Sequence, residues 1–245
     1  MSVLRAARCL VPLALPLRLR GGALALGDHT GAAVELFSNM RVPAALIAGA
    51  VVPYGFAAMP KPAPGDGRRS RVLKVLHAYL ATFTMMTELV TVVYATIAVN
   101  KLREMPHAPT ESVFALMQQN YEMGWLGANV HFFSGLISLA TMSSLSVWLH
   151  HGALVGRAAA LAAAAAVSLM LAVVNHGIDQ GGGGGSRFGA NLFGVVVRYL
   201  RVLFRNGFRT GPRWLLWSCL ALTAAAAVTG VQALGAAWEL REGDG

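Results

Sequence analysis

Charge is what this chain has least of. Asp, Glu, Lys and Arg make up 13% of its 245 residues, against roughly 25% in a soluble domain, and that shortage excludes a globular protein with an ordinary wetted surface. Cysteine is nearly absent too: Cys9 and Cys219 are the only two, so no disulfide framework or cysteine metal site is implied. Catalytic signatures are missing. The sequence holds no Gly-x-Ser-x-Gly elbow, no His-Glu-x-x-His pair and no Asp-rich run for a magnesium diphosphate site, and nothing in it argues for an enzyme. What is there is apolar. Hydrophobic residues form 56% of the chain and the mean hydropathy is +0.55, the composition of a polytopic membrane protein.

The expected fold class is all-α: a membrane helix bundle of about four transmembrane helices, with a short or re-entrant N-terminal apolar helix and one basic amphipathic interfacial helix. Residues 1–27 carry four Arg and no acidic residue, the bias of an organellar presequence. Residues 28–71 follow as a short unit. Its apolar run, Val42 to Met59, is at the lower limit for a span. Pro43 suits a helix start, whereas Pro53 would kink or end the helix. The linker "PKPAPGDGRRSR" then breaks any helix and adds Arg68, Arg69 and Arg71.

Residues 72–178 hold three apolar runs, Val72 to Val99, Trp125 to Leu149 and Ala158 to Val174. The third is mostly Ala, which contributes little lipid-transfer energy, and is expected to face protein. Between the first two, residues 110–124 read as a surface helix capped by Thr110 and leading straight into the second span. Residues 179–190 contain five consecutive Gly and read as a tether. In residues 191–212, Arg198, Arg201, Arg205 and Arg209 recur at spacings of 3, 4 and 4, one helical face that suits an anionic headgroup layer or a partner surface. Residues 213–245 hold the last span and an acidic tail, with Trp214, Trp217 and Trp238 as interface anchors. If the spans beginning at Val72, Trp125, Ala158 and Trp214 all cross, seven Lys or Arg lie on one side and eight on the other. Orientation stays open.

Glu88 stands in the middle of the first long run. His77 precedes it by 11 residues, which places the two about 20° apart on one face, three turns distant, with Thr84, Thr87 and Thr91 alongside. An intramembrane carboxylate joins helices through hydrogen bonds, ligates a pigment or relays protons; the first role is the expectation here, with Glu88, His77, Thr84 and Thr91 as the contact or proton site. The histidines permit a second reading. His77 with His150 and His151 would lie towards one membrane face, and His131 with His176 towards the other, the distribution needed for haem or another pigment held by imidazole pairs. Haem and chlorophyll are thus the candidate cofactors. No metal site is expected.

The stretch "ELFSNMRVPAALIAGA" resembles the Glu and Arg helix motif of light-harvesting chlorophyll proteins, but Glu35 and Arg41 are six apart rather than five and no second copy occurs, so membership is rejected. Together with the Glu88 span and "ESVFALMQQNYEMGWL", it resembles uncharacterised, plastid-directed multi-span membrane proteins of algae, over roughly residues 34–178. The resemblance implies a plastid (thylakoid) location ahead of the mitochondrial inner membrane and implies no activity. The functional expectation is a non-catalytic integral subunit or assembly partner of an organellar membrane complex, photosynthetic or respiratory. Alternatives are a haem- or quinone-binding redox carrier and a small proton-linked transporter. Its partners would be anionic lipid headgroups and other membrane subunits, and no nucleic acid, since the +9 net charge lies mostly in the leader and beside apolar spans.

Overall fold

The computed structural model describes residues 26–58, 61–63, 65–180, 191–209 and 213–239. Most of the expected presequence, of the Gly-rich segment expected as a tether and of the acidic tail lies outside them. The described chain is helical: α1 Thr30–Val51 continuing as a π-helical turn Val52–Ala57, α2 Arg68–Glu104, α3 Val113–Asn120, α4 Glu122–Gln180, α5 Leu192–Arg209 and α6 Arg213–Glu239. Among these residues the only β pairing is a single bridge, Gly27 with Thr110. Four stretches are long and apolar enough to cross a membrane: Thr30–Ala57, Arg68–Glu104, Glu122–His176 and Trp217–Glu239.

The four expected runs all lie on these helices, two of them on the two arms of Glu122–His176, and the N-terminal helix is long and apolar enough to add to them. The N-terminal helix is not short. It begins at Thr30, twelve residues before the apolar window, because Ala33 and Phe37 add a buried face to it; Phe37 meets Trp125 edge-on at 5.9 Å between ring centroids. Pro43 lies inside this helix and does not start it. Pro53 neither ends nor sharply breaks it: the chain widens into the π turn, and the Ala58 N–H reaches the Pro53 carbonyl at 2.9 Å, five residues back. A π turn is a common way for a helix to absorb a local misfit. Gly55 in that turn lies against α2 and α4; a Cβ there would stand 2.7 Å from the Cβ of Ala81.

The two runs expected as separate spans, Trp125 to Leu149 and Ala158 to Val174, lie on two helices that meet at a kink at Gly152. That glycine has φ 84° and ψ 178°, a conformation open essentially to glycine alone. The arms 122–151 and 153–180 turn back on one another there. Ser144 Oγ lies 3.4 Å from the Ala159 carbonyl, and a Cβ on Gly156 would meet the Trp148 backbone at 2.6 Å, contacts that a straight helix would hold about 22 Å and about 12 Å apart.

The register of the bundle follows from cross-helix contacts. Ser138 Oγ donates to the Leu80 carbonyl at 3.1 Å, and Thr91 lies 3.4 Å from the Ala128 carbonyl, so α2 and the first arm of α4 are antiparallel. α1 is antiparallel to α2 as well, with Phe37 near Leu102 and Val51 near Ala81. α6 also runs against α2, since Gly230 faces Tyr79 and the Arg68 Nε donates to the Trp238 carbonyl at 2.5 Å. The bundle therefore has a Glu122 end and a Gly152 end.

The surface helix is shorter than expected, and one residue joins it to the next helix. Ser112, not Thr110, caps α3, accepting the Ala115 N–H at 3.1 Å, while Thr110 is committed to the bridge with Gly27. Tyr121 separates α3 from α4. Its hydroxyl bonds His107 Nε2 at 2.7 Å, and burial pushes its pKa up.

Candidate functional site: the polar seam of α2

The buried face of α2 reads His77, Ala81, Thr84, Glu88, Thr91, Ala95, Ala98, Leu102. The steps alternate four and three, the periodicity of a helix seam packed against neighbours. Small and polar residues fill the half of it nearer the Gly152 end. Such residues let helices approach closely in a membrane, where apolar burial by itself gives no drive to associate.

Glu88 is 0% exposed. Opposite it is Gly135 on the first arm of α4, and a Cβ at that position would lie 2.8 Å from the carboxyl carbon and 3.0 Å from Cγ. The carboxyl group thus occupies space that any other residue at 135 would take. Neither of its oxygens has a hydrogen-bond partner among the described residues. The expected helix-joining hydrogen bond is therefore not made. Its flanking threonines explain why: Thr84 donates to the Leu80 carbonyl at 2.8 Å, Thr87 to Phe83 at 2.9 Å, and Thr91 to Thr87 at 3.0 Å. Each hydroxyl bonds back into its own helix. His77, also 0% exposed, is in the same condition, with neither ring nitrogen partnered.

One turn of α4 before Gly135 stands His131. Its Nε2 lies 3.1 Å from the Tyr199 hydroxyl of α5, its ring stacks on Tyr94 with 6.1 Å between centroids and 22° between planes, and the two tyrosine hydroxyls are 3.3 Å apart. Tyr94 fits because Gly127 faces it, where a Cβ would touch the ring at 2.7 Å. Burial first, and then the bond with Tyr94, pushes the Tyr199 hydroxyl above the usual phenol range. It therefore remains a proton donor at ordinary pH.

The histidines of the pigment reading are placed unequally. His131 is engaged by two tyrosines. His150 and His151 are exposed beside the bend, their rings 6.5 Å apart, and His176 is exposed near the end of the second arm. Among the described residues no group of three or more His, Cys, Asp or Glu is arranged to hold a metal ion.

The arginine stripe of α5 divides in use. Arg198 Nε donates to Glu122 Oε1 at 2.6 Å, and Arg205 reaches the other Glu122 oxygen at 3.9 Å, whereas Arg201 is exposed; the Arg209 side chain lies outside the described residues. The helix turns Val195, Tyr199 and Val202 into the bundle and leaves Phe193, Val197, Leu200 and Phe204 outside. Its start is held by the second arm of α4, as Asn175 Oδ1 accepts the Leu192 N–H at 2.8 Å. Sequence reasoning missed Tyr94, Tyr199, Gly135 and Glu122. The only sequence signal for Tyr199 was its place three and four residues from Val202 and Val195, on the α5 stripe opposite Phe193 and Leu200. No protein-family model, no curated protein and no solved structure matches this chain.

Proposed function

We propose that the chain is a non-catalytic integral membrane subunit or assembly partner of an organellar membrane complex. One observation carries this reading: within the stretch Glu122–His176, the most apolar 18-residue window has none of its residues buried. The second arm of α4 supplies most of the exposed surface, and its outward positions include Ala158, Ala162, Ala164, Ala165 and Ala166. Alanine is a poor lipid-facing residue and a good helix-contact residue. An arm of this composition, packed on its own chain chiefly at the bend, gains most by meeting helices of another subunit. Most of α6 is equally open. The leader with four Arg and no acid supports an organelle, and the resemblance to algal proteins favours the plastid thylakoid over the mitochondrial inner membrane. α5, with Arg201 outward and an exposed apolar stripe, suits a layer of anionic lipid headgroups.

The test is the size of the native particle. Membranes solubilised in mild detergent and separated under native conditions should carry the wild-type chain in a high-mass species. The double substitution Ala162→Phe and Ala166→Phe, one turn apart on the exposed arm, should shift it to the mass of the free chain without lowering its melting temperature. A wild-type chain that runs alone, or a double variant that stays in the assembly, contradicts the proposal. The pigment reading is tested on the same sample: haem or chlorophyll held by His131 or His77 would give a visible absorption band lost on His131→Ala or His77→Ala.

A further inference from the structure

We propose that Glu88 is a reversible proton-binding site inside the bundle, reached from the Glu122 end through Tyr199 and His131. The inference stands whether or not the chain works within a larger assembly. It rests on the arrangement of the buried polar groups. A fully buried carboxyl group with both oxygens unpartnered contributes nothing to helix pairing through hydrogen bonds and carries a desolvation cost. Gly135 nonetheless leaves room for it, since any side chain there would strike it. A residue accommodated at a cost and given no structural partner is one whose chemistry is in use.

Part of the route is a contact already in place, Tyr199 with His131, and its last step follows from the placement of Gly135 one turn from His131. At the Glu122 end, the ion pair of Arg198 with Glu122 is partly open, 28% and 18% exposed on its two side chains. The next residue on α5, Tyr199, points the other way and bonds His131. His131 and Gly135 are four residues apart on α4, so they lie on one helix face one turn apart, and Glu88 fills the space at Gly135. Imidazole suits the middle position because one ring nitrogen takes a proton while the other releases one. A proton entering at this end passes along the Tyr199 O–H to the His131 ring, and from there to the Glu88 carboxylate when side-chain rotation or an entering water closes the gap between them, giving the neutral acid; the reverse steps return it. Only O–H and N–H bonds are made and broken, and no co-reactant is required.

The titratable and charged groups that face Glu88 are few. On α1 the ionisable groups are Glu35 and the half-buried Arg41. On α2 they are His77 and Tyr94, on α4 His131, and on α5 Tyr199. None of them is within ion-pair distance of Glu88, so among these groups its charge has no fixed counter-ion.

Infrared difference spectroscopy on the purified full-length chain in liposomes tests the proposal. The protonated carboxyl stretch of Glu88 should appear as pH falls and vanish as it rises, and it should be lost entirely in Glu88→Gln. After a pH jump, Tyr199→Phe and His131→Asn should slow its response on the order of tenfold or more. Tyr199→Phe keeps the ring packed, and Tyr94→Phe removes only the hydroxyl beside the route, so a fold defect in one variant leaves another to decide. A carboxyl band that does not change with pH, that survives in Glu88→Gln, or that responds in the Tyr199 and His131 variants as fast as in the wild type overturns the assignment.

Discussion

Two groups of polar residues on α2 are treated in opposite ways. At the Gly152 end, Arg68 donates to the Trp238 carbonyl and lies 4.1 Å over its ring, Arg71 donates to the Asp66 carbonyl at 2.7 Å and approaches that of Ala237 at 3.4 Å, and Lys74 pairs with Asp66 at 2.7 Å. The two arginines close the last carbonyls of α6, where the helix dipole favours positive charge. Farther along the same helix, Glu88 and His77 are more deeply buried and have no hydrogen-bond partner among the described residues. The first group is built as a fastener. The second is built as a site, and the contrast shows that the fold has the means to satisfy polar groups and does not apply them at Glu88.

The comparison can be broken most severely at Gly135. Gly135→Leu would drive a side chain into the Glu88 carboxyl and separate α2 from α4, with an expected loss of about 3 kcal/mol or more from overpacking, read as a large fall in melting temperature in detergent. Next comes the fastener. Arg71 is 2% exposed, and Arg71→Ala should cost about 1.5 to 3 kcal/mol through lost charge-assisted hydrogen bonds, freeing the end of α6 to proteolysis. Gly152→Ala should cost about 1 to 3 kcal/mol, because alanine resists the backbone conformation found there; it should loosen the second arm of α4 and leave the seam intact.

A smaller effect belongs to Asp66. The Ala63 N–H first, and then Lys74, hold its carboxyl below its ordinary value of 3.8. A group with a lowered folded pKa gives its stabilisation above the unfolded value and loses it as pH falls through the folded one. Titration from neutral pH to below about pH 4 should therefore loosen the 61–68 turn in the wild type. Asp66→Asn should remove that acid step, seen as a flatter dependence of local proteolysis on pH.

Parts of this architecture were legible in the sequence because they depend on length and composition. α2 was visible as a long apolar run, and the arginine spacing of α5 fixed one of its faces. Other features depend on contacts distant in sequence and were not. Pro53 looks like a helix terminator until Gly55 is seen packed on Ala81, and α1 gains its first twelve residues from Phe37 meeting Trp125. Gly152 is an ordinary glycine until its backbone angles reveal a fold between two arms that read as separate spans. At the site, Glu88 stood out by its charge in an apolar run. Its lack of a partner could not be read, because three nearby threonines offered hydroxyls on paper and their return to their own helix is a matter of side-chain rotation. Tyr199 was hidden for a different reason: it reaches His131 across 68 residues.

The central claim is that Glu88 is retained for its proton and not for its contribution to packing. Glu88→Met tests it most directly, because methionine fills a similar volume with no polar group, so no unpaired oxygens remain to be desolvated. The account predicts a melting temperature equal to or above that of the wild type, with the pH-dependent carboxyl signal gone, and Glu88→Gln equally well folded and equally silent. A Glu88→Met chain that melts well below the wild type, while Glu88→Gln does not, would show that the side chain is a hydrogen-bonding fastener like Arg71 and would contradict the account.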